Sequence, residues 1–292
     1  MLNNKVVNII GIIILLLGCS MFPSALWSYY FNDNDVISII YASITTIGFG
    51  ILIYSITFFN LNKSTKKELV LKDGFTIVSL SWIIMSVFSA LPYLFSIDGL
   101  TFTNAFFEAM SGLTTTGATV FGHNGVMMIE DLSHGILFWR SFTQFIGGMG
   151  IIVFSIAILP LLGIGGVQLF KAEVAGPTAD KITPRIKQTA KLLWTIYIGL
   201  IIIIMTLFYI QGMTFFDSVC HSFTTISTAG FSTSSESIKS FSPSIQWTMV
   251  IFMFIAATNF SLHYSFISKG KFNYFKNEEF KVYFFLFITI SI

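Results

Sequence analysis

The chain has 292 residues, 54% of them hydrophobic and only 10% charged, with a formal net charge of +2 and a mean hydropathy of +0.80. A soluble domain of this length does not have such a composition, so the chain is read as an integral membrane protein in a lipid membrane. Cys19 and Cys220 both fall in apolar segments, which argues against a disulfide framework, and the small net charge is no footprint for nucleic acid.

Six apolar runs follow in chain order, at about 6–30, 36–59, 75–97, 134–163, 189–210 and 245–268. Each is long enough to cross a ~30 Å hydrocarbon core at ~1.5 Å per residue. The first is too long for the core of a signal peptide and lacks a small-residue cleavage site, so it is kept as a helix. The spacing predicts an amino-terminal transmembrane hairpin over 1–62, whose outer loop is Asn32-Asp33-Asn34-Asp35. A first helix–pore loop–helix repeat follows over 63–163, then a Gly- and Pro-rich linker over 164–188, expected to be cytosolic and partly irregular. A second repeat covers 189–268. Residues 269–292 read as a cytosolic loop and the truncated start of a third repeat, because the apolar stretch Val282–Ile292 is too short to span.

The two repeats are visible as one text written twice. GLTFTNAFFEAMSGLTTTGAT at 99–119 matches GMTFFDSVCHSFTTISTAGFS at 212–232 without a gap. Gly99 aligns with Gly212, Thr101 with Thr214, Phe102 with Phe215, Asn104 with Asp217, Thr115 with Thr228 and Gly117 with Gly230. Each copy is a short half-apolar stretch running into a Thr/Ser-rich turn around one glycine, between two long apolar runs. That is the pattern of a re-entrant pore loop, repeated around an axis. The positions of Lys and Arg agree. Lys5, the groups at 63–72 and 171–191, and those at 269–281 make 14 of the 16 basic residues, and they share one side only if both loops return to the face they left. That face is read as cytoplasmic, with the amino terminus on it and both pore loops opening outward.

Residues 101–114 and 214–227 are too short to cross and are expected to be half-helices entering from outside. Their carboxyl ends, with the negative end of the helix dipole, favour a cation. The chain then turns through Thr115-Thr116-Gly117 and Thr228-Ala229-Gly230, the candidate filter. Glycine permits the positive φ that aims successive carbonyls at one axis, and the threonine hydroxyls add oxygen ligands. Oxygen ligation without acidic side chains suits a monovalent cation. The plainer reading is a pair of kinks where helices pack through small residues. Glu108 and Arg140, ionised groups inside membrane segments, are expected to pair behind the filter and support it. The second repeat has His221 in place of Glu108 and no matching arginine, so no repeated brace is expected. Asn104 and Asp217 read as capping residues, and Thr258-Asn259 as interhelical hydrogen-bonding groups or lining of a cavity under the filter. His123, His134 and His263 have no metal-ligand spacing, and Gly147-Gly148 read as helix-packing positions. No nucleophile–base constellation is present, so no enzyme activity is expected.

The run from Trp139 to Gly150 (WRSFTQFIGGMG) resembles the Trk/Ktr/HKT potassium-transporter superfamily. So do Leu159–Gly163, Gln168–Glu173 and Asp180–Arg185, together with both pore-loop texts, over most of 60–268. The amino-terminal hairpin is more similar to the bacterial TrkH branch than to KtrB. The resemblance implies an all-α, potassium-channel-like fold of four pseudo-repeats, one filter glycine in each, here Gly117 and Gly230. It implies potassium as the transported ion with no further cofactor, a bacterial cytoplasmic (inner) membrane, a homodimer, and a cytosolic nucleotide-binding regulatory subunit of the TrkA type. The chain supplies two of four pore loops, half the oxygen coordination, and is not expected to conduct alone. A single glycine per repeat, without a TVGYG run, points to looser discrimination against sodium. Two other readings stay open: a two-repeat cation channel that self-associates to complete four loops, and a non-conducting membrane subunit.

Overall fold

The structure, a computed structural model, describes residues 4–61, 71–122, 126–158, 182–270 and 274–291. Side chains are described for the same residues except 59–61, 71, 151–158, 182–189, 268 and 269. The fold is helical, with no strand among the described residues: α1 (Asn4–Cys19), α2 (Phe22–Tyr30), α3 (Val36–Leu61), α4 (Leu71–Ser89), α5 (Leu91–Ser96), α6 (Phe102–Leu113), α7 (His134–Ile158), α8 (Ile182–Ile210), α9 (Phe215–Ile226), α10 (Pro243–Ala256), α11 (Phe260–Lys269) and α12 (Glu278–Ser291). Among the described residues, Asn4–Tyr30, Val36–Phe58, Lys72–Ser96 and Ala190–Ile210 are long and apolar enough to cross a membrane. The chain is a multi-pass membrane protein.

Two of the expected runs are interrupted where the sequence places a proline. Pro23 opens α2 and Pro92 opens α5. Beside the second break, the Trp139 indole donates to the Ser89 carbonyl at 3.0 Å. The sixth run, expected as one crossing helix over 245–268, is instead two helices, Pro243–Ala256 and Phe260–Ile267, bent by 92°. Its polar pair sits at the break, and Asn259 also makes a bond between helices of the kind expected, its Nδ2 donating to Glu279 Oε2 of α12 at 3.3 Å. Thr258 returns its hydroxyl to the Phe254 carbonyl at 3.0 Å, and Asn259 caps α11 by accepting from the Ser261 N–H at 3.0 Å. The expected linker over 164–188 is helical from Ile182 onward, as the start of α8; its part over 164–181 lies outside the described residues.

The amino-terminal hairpin is a close helix pair. α1 and α3 meet through glycines: a Cβ on Gly18 would stand 2.8 Å from the Ile47 nitrogen, and one on Gly50 would stand 2.6 Å from that of Leu15. The loop between α2 and α3 then reaches across to the start of α7. Asp33 accepts from the His134 N–H at 2.8 Å, and Asp35 accepts from the hydroxyls of Ser28 and Ser133. Two carboxylates of the loop thus meet the positive end of the α7 dipole. The main core forms around Trp139, Tyr93, Met21, Ile136 and Phe216, joining the hairpin, α5, α7 and α9.

Candidate ion-permeation site

The two half-helices fall at the expected places and are built alike. α6 and α9 have twelve residues each. Thr101 and Thr214 are their N-caps, accepting from the backbone N–H of Asn104 at 3.3 Å and of Asp217 at 3.0 Å. The side chain of Asp217 answers by accepting from the hydroxyls of Thr214 at 2.7 Å and Thr233 at 2.6 Å.

Each carboxyl end closes in a Schellman motif. The Thr116 N–H donates to the Ser111 carbonyl at 2.9 Å and the Thr115 N–H to that of Gly112 at 3.0 Å. In the second repeat Ala229 donates to Thr224 at 3.0 Å and Thr228 to Thr225 at 3.1 Å. The left-handed position that such a motif reserves for glycine is held by threonine, with φ of 54° at Thr115 and 53° at Thr228. Gly117 and Gly230 follow with φ of 75° and 101°. The motifs satisfy the last helical carbonyls and no others. Among the described residues, the carbonyls of Thr115, Thr116, Gly117, Thr228, Ala229 and Gly230 accept no hydrogen bond. The two turns lie edge to edge, because a Cβ on Gly117 would run into the Ala229 carbonyl. Thr116, Thr228 and Gly230 are exposed, Thr115 and Gly117 half-buried, and Ala229 buried.

Glu108 and Arg140 are brought together as the sequence suggested, fully buried, with Arg140 Nε donating to Glu108 Oε1 at 2.8 Å. Glu108 also accepts from the Thr119 hydroxyl at 2.9 Å and the Val120 N–H at 3.0 Å. Arg140 spends its other nitrogens on the Thr119 hydroxyl at 3.2 Å and the Ser232 carbonyl at 3.0 Å, and its guanidinium stands 4.5 Å from the centre of the Phe231 ring. A buried pair with this many partners carries no unpaired charge.

In the second repeat no arginine meets His221 among the described residues, and a neutral contact stands in the place of the ion pair. His221 donates from Nδ1 to the Asp217 carbonyl at 2.9 Å, which leaves Nε2 to accept from the Ser232 hydroxyl at 3.1 Å. Ser232 holds the register of Thr119, so a contact from half-helix to the segment after the turn recurs, with imidazole in place of carboxylate. Residues the sequence reading passed over complete the site. Gln144 is buried, and its Oε1 accepts from the Phe231 N–H at 3.3 Å. Glu130, in the loop between α6 and α7, accepts from the Ser235 N–H and hydroxyl, both at 2.6 Å, and these bonds hold its carboxyl down to about 2. A signal was present for Gln144, four residues after Arg140 and hence on the same helical face. Gly147 and Gly148 let α7 touch both half-helix ends: a Cβ on Gly147 would meet the Leu113 carbonyl, and one on Gly148 would stand 3.0 Å from Ser227 Cβ.

His134 pairs with Asp33 at 3.2 Å, and His263 donates or accepts between the Tyr274 hydroxyl and the Ile255 carbonyl, both at 2.9 Å. Among the described residues no group of three His, Cys, Asp or Glu is placed to hold a metal ion, and Cys19 and Cys220 are free. His123, the motifs Leu159–Gly163 and Gln168–Glu173, and Asp180-Lys181 lie outside the described residues.

The sequence model of TrkH, described as a cation transport protein, matches residues 42–291. The chain belongs to the TrkH family. It is 40% identical over 292 residues to the Trk system potassium uptake protein TrkH of Vibrio parahaemolyticus, covering 98% of this chain and 58% of that protein. It is 39% identical over 282 residues to TrkH of Escherichia coli K12, covering 95% of this chain and 56% of the relative. TrkG of the same strain is 37% identical over 269 residues, covering 90% and 53%. The crystal structure of the potassium transporter TrkH from Vibrio parahaemolyticus superposes with a TM-score of 0.83 at 37% identity, over 98% of this chain and 57% of that one. The chain therefore spans a little over half the length of the TrkH family members it matches.

Proposed function

We propose that the chain supplies two of the four pore loops of a potassium uptake pathway in a bacterial cytoplasmic membrane. Potassium enters from outside and exchanges its water for the carbonyls of Thr115–Gly117 and Thr228–Gly230, with the threonine hydroxyls as further oxygen ligands. The amino terminus and the basic loops lie in the cytoplasm. The units 63–163 and 189–268 act as the repeats of the pore, a homodimer is the assembled form, and a cytosolic nucleotide-binding subunit of the TrkA type regulates it.

The observation that carries this reading is the set of six carbonyls without hydrogen-bond donors, three from each turn, placed edge to edge. Backbone carbonyls left unpaired within a membrane protein are costly unless a cation or water meets them. The dipoles of two half-helices end just before them, adding negative potential where a cation would rest. Glu108 and Arg140 support the first turn from behind. The relatives named as potassium uptake proteins supply the ion.

The test is rubidium uptake by potassium-starved cells that lack other potassium systems and express the protein. Gly117→Ala is expected to abolish uptake at unchanged abundance in the membrane, because the new methyl group would occupy the space of the Ala229 carbonyl. Full activity of Gly117→Ala would remove these turns from the pathway.

A further inference from the structure

The extended segment that follows the second turn is held from the first repeat. Gln144 accepts from the Phe231 N–H at 3.3 Å, and Arg140 donates to the Ser232 carbonyl at 3.0 Å. Glu130 accepts from the Ser234 hydroxyl at 3.1 Å and from the Ser235 N–H and hydroxyl at 2.6 Å, while the Ile129 N–H donates to the Ser235 hydroxyl at 3.3 Å. Four of the five residues at 231–235 are thus fixed by groups between 129 and 144. The segment after the first turn differs: Thr119 and Val120 are held by Glu108 and Arg140, and so by their own repeat.

Gln144 is the most telling member. Its side chain is fully buried and its Nε2 has no hydrogen-bond partner among the described residues. A buried amide donor left unpaired destabilises, and a methionine of similar shape would avoid that cost. The retained acceptor is aimed at the first backbone N–H after Gly230. One turn along the same helix, Arg140 takes the next carbonyl. Two points on one helix therefore set the height of the second turn, and Glu130 pins the far end of the segment that follows it.

We propose that Gln144, Arg140 and Glu130 are positioning residues that hold the Thr228–Gly230 turn at a defined height against Thr115–Gly117, and thereby set how sharply the filter separates potassium from sodium. This rests on the filter reading above. Discrimination between ions of different radius depends on distances among oxygens from different loops, and these ties fix one such distance.

The test compares rubidium uptake, and its inhibition by potassium and by sodium, in potassium-uptake-deficient cells expressing the protein. Gln144→Met keeps the volume and removes the acceptor. It is expected to lower the preference for potassium over sodium roughly three- to tenfold at unchanged membrane abundance, the scale of one hydrogen bond in an equilibrium. Glu130→Ala, in the exposed loop between α6 and α7, is expected to lower the preference in the same direction by less, whereas Glu130→Gln, which still accepts from Ser235, retains it. An unchanged preference in Gln144→Met and Glu130→Ala overturns the proposal. So does an equal fall in Glu130→Gln and Glu130→Ala, which would mean charge and not position. Should Gln144→Met fail to reach the membrane, the two Glu130 variants decide alone. Failure of the filter reading looks different: Gly117→Ala would then transport like the unaltered protein.

Discussion

A β-branched residue in the left-handed region crowds its own carbonyl, at a cost of about 1–2 kcal/mol, and glycine would relieve it. Thr115 and Thr228 both hold that conformation, at φ of 54° and 53°. Strain repeated at one register of two repeats is strain retained for the hydroxyl it places at the turn. Thr228→Gly is therefore expected to stabilise the protein by about 0.5–1 kcal/mol, after the greater freedom of glycine in the unfolded chain is subtracted. It should at the same time weaken the preference for potassium, and thermal melting beside competitive rubidium uptake reads both. The two turn glycines differ from each other in a testable way. Gly117 faces the Ala229 carbonyl, whereas a Cβ on Gly230 would meet nothing within 4 Å. Gly230→Ala is expected to retain more uptake than Gly117→Ala, limited only by its φ of 101°. Glu130 gives a pH dependence. Its carboxyl is lowered from 4.5 to about 2, first by the Ser235 hydroxyl and then by the Ser235 N–H. A depressed carboxyl stabilises the folded loop fully above the unfolded value and loses that contribution as pH falls through the folded one. The stability gap between the unaltered protein and Glu130→Gln should be widest near neutral pH and should close between about 4.5 and 2. A gap that ignores pH would contradict the assignment.

At the scale of elements, α7 is the member on which both half-helices rest, and its two glycines mark where. Gly147→Ala would push against the Leu113 carbonyl, which is backbone and has little room to yield. Gly148→Ala meets first the Tyr197 hydroxyl at 2.6 Å, the far end of a side chain. Uptake at matched abundance is expected to fall further in Gly147→Ala than in Gly148→Ala. The half-helices were legible in the sequence because the repeat brings its own alignment: cap, apolar stretch and turn recur in one register. The bend in the sixth run was not. Ala257-Thr258-Asn259 contains neither proline nor glycine, and the angle goes with contacts such as that of His263 with the Ile255 carbonyl at 2.9 Å. The start of α8 was hidden by Arg185, Lys187 and Lys191, charges that break the apolar run without breaking the helix. Gln144 was visible as a polar residue in an apolar helix, but no local pattern names a backbone N–H lying 87 residues away.

Over the whole molecule, the pair of Glu108 and Arg140 ties α6, α7 and both post-turn segments into one body. Removing one partner leaves the other buried and charged, so Glu108→Gln is expected to cost about 3–5 kcal/mol. The double substitution Glu108→Leu with Arg140→Leu should cost less than that, and melting curves of single and double variants check the order. The pair also imposes a timetable on biogenesis. Glu108 leaves the ribosome 32 residues ahead of Arg140. At roughly 5–20 residues per second the carboxylate waits about 2 to 6 seconds for its guanidinium. Hydrocarbon is a costly place to wait with a charge, so the first half-helix must stay near water until α7 arrives and draws it down. Pulse-chase labelling should find Arg140→Leu synthesised at the normal rate and then cleared by proteolysis within minutes. A second substitution, Glu108→Leu, should prolong its survival.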